Sequence, residues 1–279
     1  MFYKSTYKLA STMSLVFILL ISGAQASTIE ICESRDEGCE YVCIQEAIKD
    51  AEPGDTIKVH SGTYRENINV NKPLIMRGVD TGDGIPVVAA GGDGNAIQLT
   101  ADGIELEGFE VTGSGRGWLN AGILVESDEN VIANNVLRGN LYGIYLNAAN
   151  KNTITGNAIS ENAAGIGLIS CHYNTITDNM VKENEEGIEI RNSDNNIIFE
   201  NNISCNEYGI SHDIYSISRN EMDDNYDMGT NNNLKYRIDK LIPIGWPVTR
   251  PPWELISQEE NATKRSDMEV VVWKRNSRS

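Results

Sequence analysis

The chain has 279 residues, 40% of them hydrophobic, which is enough apolar material for one sizeable globular domain rather than several. Its formal charge of −17 excludes nucleic acid, which is gripped through a basic footprint that displaces counterions, and disfavours an anionic membrane surface. Cations, cationic polymers and plain solubility all suit such acidity.

At the N-terminus, Lys4 and Lys8 precede an apolar run from Leu15 to Ile21, and Ala24-Gln25-Ala26 then offers small residues for cleavage. Residues 1–26 are therefore expected to be a secretory signal. The run is far short of the ~20 residues of a spanning helix, and no later segment is long and apolar enough, so no membrane span is expected after signal removal. Residues 27–54 read as an N-terminal cap. "STIEICE" supplies an edge strand, and "CIQEAIKDA" sets Ile44, Ala47, Ile48 and Ala51 at helical spacing before Pro53-Gly54 stops it. A helix there covers the open end of a strand stack that would otherwise invite polymerisation. In an oxidising compartment two of Cys32, Cys39 and Cys43 are expected to pair. Their spacing lacks the C-x-x-C pattern and nearby His ligands of a zinc site.

Residues 55–233 carry the organising pattern. "DTIKV" from Asp55, "NINV" from Asn67, "PLIMRG" from Pro73, "IPVVAA" from Ile85, "AIQLT" from Ala96 and "IELEGFEV" from Ile104 are strands split by Gly, Asp and Pro. An inserted "GSGRGW" at 113–118 is a loop that presents Trp118. Glycines then recur at 122, 143, 165, 187 and 209, each followed by Ile, at steps of 21, 22, 22 and 22. In that frame Ile132, Ile154, Ile176, Ile198 and Ile217 form one apolar column, and Leu137, Ile159, Val181, Ile203 and Met222 another. The last repeat fits after three residues between Gly209 and Ser216 are removed.

Each column lies in a short stretch of alternating polarity, the period of a strand. Three short strands per 22 residues cannot bury their apolar side alone; stacked on copies of themselves they can, which gives an all-β single-chain solenoid, a parallel β-helix of about seven coils. Asparagines mark the corners in three columns: Asn130, Asn152, Asn174 and Asn196; Asn135, Asn157, Asn179, Asn201 and Asn220; Asn140, Asn162, Asn184, Asn206 and Asn225. Asn tolerates left-handed backbone and satisfies turn amides, and stacked amides bond from coil to coil, so these residues are structural.

The segment "YVCIQEAIKDAEPGDTIKVHSGTYRENINVNKPLIMRG", followed by "GNAIQLTADGIELEGFEVTGSG" and the Asn/Gly coils, resembles the secreted NosD-like proteins with parallel β-helix repeats. The likeness spans about residues 41–230. It implies a right-handed β-helix exported to the cell surface or exterior, or to the periplasm of a diderm bacterium. Members are described variously as copper-site maturation proteins, carbohydrate-binding or sugar-hydrolysing modules, and surface proteins.

Copper handling calls for clustered Met, His or Cys, and the coils hold no such cluster. His172 shares a turn column with Asp194 and Asp213, the one candidate metal set. A polysaccharide lyase, hydrolase or epimerase would need carboxylates with an adjacent base along one flank. Glu161, Glu183 and Asp224 share an outward column, Glu185 and Glu207 share another, and Glu186 and Asp227 lie beside it. Stacked like charges motivate a cation, for which calcium is one possibility, or a cationic ligand, and the favoured competing reading is a hydrated acidic face that blocks aggregation. Tyr142, Tyr145, Tyr173, Tyr208, Tyr215 and Tyr226 are rings available to stack on sugars. Residues 234–279, where repetition ceases, form a tail or a C-terminal cap. The reading that results is an exported, noncatalytic β-helix that needs no cofactor and binds polysaccharide or another cell-surface component. The alternatives are a polysaccharide-active enzyme and, third, a copper-site accessory protein.

Overall fold

The computed structural model describes residues 26–35 and 38–213, then 216, 220–222 and 225, with the backbone of 238–239. Across these residues the chain winds through three parallel sheets of eight, seven and eight strands. The first sheet begins with Thr28–Ile31, Thr56–His60 and Ile75–Val79 and runs to Ile197–Phe199. The second runs from Thr63–Tyr64 to Asn202–Ser204, and the third from Ile68–Val70 to Tyr208–Asp213. Each coil contributes one strand to each sheet, and seven such coils make a right-handed parallel β-helix. Steps of 19 (Thr56 to Ile75), 30 (Ile75 to Glu105) and 26 (Glu105 to Val131) settle to 22 at Val131 to Thr153.

The columns of the regular coils coincide with the register. Ile132, Ile154, Ile176 and Ile198 pair in sequence and are fully buried. Leu137, Ile159, Val181 and Ile203 do the same in the second sheet. Each such aliphatic side chain contributes about 1.5–3 kcal/mol on burial, and the columns merge into one continuous core.

The glycines are needed for space rather than for backbone freedom. A Cβ added at Gly143 would stand 2.6 Å from Ile159 Cγ2 and 2.7 Å from the Gly165 carbonyl, and one at Gly165 would stand 2.6 Å from Val181 Cγ1 and 2.5 Å from the Gly187 carbonyl. Glycine and the isoleucine after it both face inward, which breaks the strand alternation and turns the residue before the glycine outward.

The corners work differently from the sequence-based expectation. At all three corner columns the residue in left-handed backbone is the one before the asparagine: Lys151 (φ 56°), Glu161 (φ 58°), Asp178 (φ 57°) and Glu183 (φ 57°) are examples. The asparagine itself is buried and tied to the next coil. Asn179 accepts from Asn157 N and Nδ2 (3.0 and 2.9 Å) and donates to Ile154 O, Thr177 O and Asn201 Oδ1, each at 2.9 Å. Asn152, Asn174 and Asn196 form an equivalent ladder (2.8 and 2.9 Å), and Asn157 and Asn201 extend that of Asn179.

The ladders also correct the alignment of the final coil. Asn196 N donates to Asn220 Oδ1 and Asn201 N to Asn225 Oδ1, so Asn220 and Asn225 each belong one corner earlier than the repeat pattern placed them. Glu221 pairs with Ile197, which sets Met222 next to Ile198 rather than over Ile203. A turn in which Asp213 accepts from Ser216 N (2.9 Å) accompanies the lengthened step; Ile217 lies outside the described residues. A further strand, Ile238–Asp239, joins the third sheet beside Tyr208–Asp213. Part of the segment read as a tail therefore returns to the stack.

At the other end, the helix Ile44–Asp50 buries Ile44, Ala47 and Ile48 against the first coil. Its termini are satisfied by side chains of that coil: Glu66 accepts from Ile44 N (2.9 Å) and Gln45 N (3.0 Å), and Lys72 Nζ donates to the carbonyls of Ile48, Lys49 and Ala51.

Asn179→Ala removes the acceptor of the Asn157 backbone amide and the donor to the buried Ile154 carbonyl and the half-buried Thr177 carbonyl. At about 1–3 kcal/mol per orphaned group, chemical denaturation is expected to show a loss of roughly 2–5 kcal/mol. Substitution of the exposed Asn202 on the neighbouring strand is expected to cost under about 0.5 kcal/mol.

Candidate functional sites

The acidic columns separate into three environments. Glu161 and Glu183 stack through their backbones (Glu161 N to Glu183 O, 3.1 Å) and are exposed at left-handed corner positions. Glu185 and Glu207 each follow a ladder asparagine; Glu207 is exposed and Glu185 half-buried. Glu186 alone turns onto the outer face of the third sheet, where it is buried and accepts from Ser211 Oγ (2.7 Å). Asp224 and Asp227 lie outside the described residues. Elsewhere the acids of adjacent coils face bases: Arg77 pairs with Glu107 at 2.9 Å, Arg138 with Glu110 at 2.6 Å and Lys151 with Glu129 at 3.0 Å.

Glu186 belongs to a polar cluster that columns alone did not reveal. Tyr142 and Tyr145 pack with ring centroids 4.7 Å apart, over Gly167, whose added Cβ would stand 2.8 Å from the Tyr142 ring. Tyr142 Oη donates to Glu189 Oε2 at 2.8 Å, and Glu189 Oε1 pairs with Arg191 Nε. Tyr142, Tyr145, Glu186, Glu189 and Ser211 are all buried. Burial, followed by the nearby Glu189, pushes both tyrosine hydroxyls up from their ordinary value. A tyrosine held protonated is no proton acceptor at neutral pH, and both oxygens of the Glu189 carboxylate are engaged, by Tyr142 and by Arg191. The rings are also covered, so these two are not the exposed sugar platforms that their number suggested. Tyr173 is exposed and Tyr208 half-buried, while Tyr215 and Tyr226 lie outside the described residues.

His172 and Asp194 meet, with Nδ1 and Oδ1 2.5 Å apart. Asp213 is drawn elsewhere, accepting from Asn192 N (2.7 Å) and from Ser216 Oγ (2.6 Å). The three candidates thus form a pair and a turn cap. Among the described residues, one group of three His, Cys, Asp or Glu brings its ligand atoms within 4.8 Å of one another: Cys32, Cys39 and His60. Cys32 and Cys39 are joined as a disulfide, while Cys43, Cys171 and Cys205 take part in no disulfide. Burial raises the Cys171 thiol to about 11. The absence of a nearby histidine, expected from cysteine spacing, does not hold in three dimensions. Thr28 pairs with Thr56 across an offset of 28 residues, and the same offset sets Cys32 beside His60.

A cleft of about 310 Å³ opens beside the third sheet, lined by Asn67, Asn69, Asp93, Gly94, Asn95 and Gln98 with Ile68. Its amides are held in place: Asn67 Nδ2 donates to the carbonyls of Asp93 (2.8 Å) and Asn95 (2.7 Å), and Asn95 Oδ1 accepts from Ala121 N (2.8 Å). The inserted loop abuts this rim, since Gly115 N donates to Gly94 O at 2.8 Å. It carries Trp118, 45% exposed.

A family model described as periplasmic copper-binding protein (NosD) matches residues 52–259. The chain belongs to the NosD family. No curated protein matches its sequence. Among solved structures, pectate lyase Pel9A superposes with a TM-score of 0.53 at 16% identity, covering 71% of this chain and 62% of the lyase. The chain thus spans less than two thirds of that enzyme's length, and the likeness shows the β-helix fold. An alginate lyase from Paenibacillus sp. str. FPU-7 aligns over 73% of this NosD-family chain and 98% of its own, at 16% identity and a TM-score of 0.41.

The buried tyrosines of this NosD-family coil stack give a titration signature. A group whose folded pKa is raised adds stability that is complete below its unfolded pKa and is lost as pH rises through the folded value. Tyr142→Phe and Tyr145→Phe are therefore expected to leave the tyrosinate absorbance below about pH 11 unchanged, and to reduce the fall in stability between about pH 10 and the alkaline unfolding point.

Proposed function

We propose that this NosD-family protein acts outside the cytoplasm as a noncatalytic β-helix scaffold that binds saccharide through the amide cleft. The observation that carries the reading is the cleft itself: Asn67, Asn69, Asn95 and Gln98 converge with one carboxylate, Asp93, next to a loop bearing an exposed indole. Sugar hydroxyls both donate and accept, and side-chain amides answer both roles. An aromatic ring beside them supplies the apolar surface on which a sugar face stacks. The internal bonds of Asn67 and Asn95 hold the amides before any ligand arrives, which lowers the ordering cost of binding.

Two features support binding over turnover. On the outer face of the third sheet, Glu189 is neutralised by Arg191 and the tyrosines are held protonated. In the cleft, Asp93 is the single carboxylate, whereas acid–base cleavage of a glycosidic bond uses a pair. The periplasmic description of the family supports an extracytoplasmic setting.

Titration of the full chain with a panel of neutral and acidic oligosaccharides tests the reading. Saturable binding without new reducing ends or unsaturated products is expected. Trp118→Ala and Gln98→Ala are each expected to weaken that binding about tenfold, near the 1.4 kcal/mol of one good contact, with thermal stability unchanged. Product formation would transfer the protein to the enzymes, and binding unaffected by both substitutions would remove the cleft from the account.

A further inference from the structure

We propose that Cys32, Cys39 and His60 form a redox-gated site for a soft cation of the copper(I) type, closed while the two cysteines are joined and open when they are reduced. The inference goes beyond the saccharide reading and rests on different residues at the opposite end of the first coil.

The geometry is that of a ligand set already assembled. His60 Nδ1 lies 3.5 Å from Cys32 Sγ and 4.0 Å from Cys39 Sγ. A trigonal ion bonded to sulfur at about 2.3 Å and to nitrogen at about 2.05 Å separates those donors by about 3.8 Å, so both sulfur–nitrogen spacings are close to what a bound ion requires. Only the two sulfurs must part. Cys32 is buried, whereas Cys39 sits on a loop and is half-buried, so the second sulfur is the one with room to move.

The histidine is oriented for this task. Its other nitrogen, Nε2, lies 2.6 Å from Glu30 Oε2, and Lys58 Nζ holds the second carboxylate oxygen at 3.2 Å. A carboxylate that accepts from Nε2–H leaves Nδ1 as the free lone pair facing the sulfurs, the outer-shell arrangement that fixes metal-binding histidines. Two thiolates and one imidazole favour a soft d¹⁰ ion over calcium or magnesium. The family description names copper, and this is the donor set among the described residues whose chemistry fits it.

The gate balances chemically. A dithiol reductant passes two electrons and two protons to the Cys32–Cys39 bond and leaves as its own disulfide; the cation then displaces both thiol protons. A disulfide oxidant reverses the step: it takes two electrons from the two thiolates and two protons from water, leaves as its own dithiol, and the restored Cys32–Cys39 bond expels the ion. Cys43 stands apart, its Sγ donating to Glu66 Oε2 at 3.1 Å.

The test uses the full chain carrying Cys43→Ser and Cys205→Ser, so that accessible thiols do not compete. Oxidised and anaerobically reduced samples are titrated with copper(I) held by a chromogenic chelator. One equivalent is expected to bind to the reduced form, with a thiolate-to-copper absorption band, and none to the oxidised form at the same chelator concentration. Glu30→Gln is expected to weaken binding by the reduced form about 10- to 100-fold, and His60→Ala is expected to weaken it further. Equal uptake by the two forms, no uptake by either, or undiminished uptake by a Cys32→Ser/Cys39→Ser variant would each overturn the proposal. Should the double-serine background fail to fold, the same oxidised-against-reduced comparison on the natural chain decides it, because Cys32 and Cys39 are the only cysteines joined there.

Discussion

The structure depends on one repeated contact, a buried asparagine amide bonded to the equivalent amide one coil away. Asn174 illustrates it: its Nδ2 reaches Asn196 Oδ1 and Ala149 O, while its Oδ1 accepts from Asn152 N and Nδ2. A coil one residue longer between two such corners would shift an amide out of its ladder and leave several buried groups unpaired, each costing about 1–3 kcal/mol. The 22-residue step is thus held by polar satisfaction at the corners as much as by packing of the aliphatic columns. Where extra residues are accepted, as in the 30-residue step from Ile75 to Glu105, they bulge out between strands and the registers of all three sheets are kept.

That constraint determines where chemistry can sit. In the regular coils every outward position is set by its neighbours above and below. When such positions gather polar residues, those residues satisfy one another, as the buried Tyr142–Glu189–Arg191 group does. Sites with unclaimed capacity arise where the repeat is broken. The amide cleft lies at the loop around Gly94 and meets the loop bearing Trp118. The Cys32–Cys39–His60 group lies where the first edge strand gives way to the loop ahead of the helix. Loops carried by a rigid scaffold are the usual place for binding residues, and a solenoid makes the division especially sharp.

Much of the fold was legible because the same signal recurs from coil to coil. Ile154, Ile176 and Ile198 each report the same buried position, and the capping helix announces itself through Ile44, Ala47 and Ile48. The corners were only half legible. Gly139 and Gly156 occupy the left-handed position in their two columns, a clue that the residue before the asparagine bears the backbone demand, but Glu161 and Glu183, which stand in the column of Gly139, read as ligands instead. The final coil was misaligned because its lengthened turn contains no glycine column to mark it. Sites built from different coils were least legible. Cys32 and His60 are neighbours only once the first strand's register is known, and Glu189 reads as an exposed acid until Tyr142, 47 residues away, is seen to donate to it.

The quasi-one-dimensional build also allows two unlike activities on one chain. In a stacked repeat each coil answers chiefly to its immediate neighbours, so a change confined to the first turn is felt weakly by the seventh. Opening the Cys32–Cys39 bond releases a short loop, while Thr28–Ile31 remains paired to Thr56–His60 and the helix remains anchored by Glu66 and Lys72. Reduction there is a local event with the stack intact. The amide cleft keeps its supports from the Gly94 loop, from Ala121 and from Gln45 of the anchored helix, which bonds the backbone of Asn69. The cleft and the cysteine pair share the first coil, but the strand pairing and the anchored helix lie between them, so a metal-bound and a metal-free form would present the same cleft as long as those contacts hold.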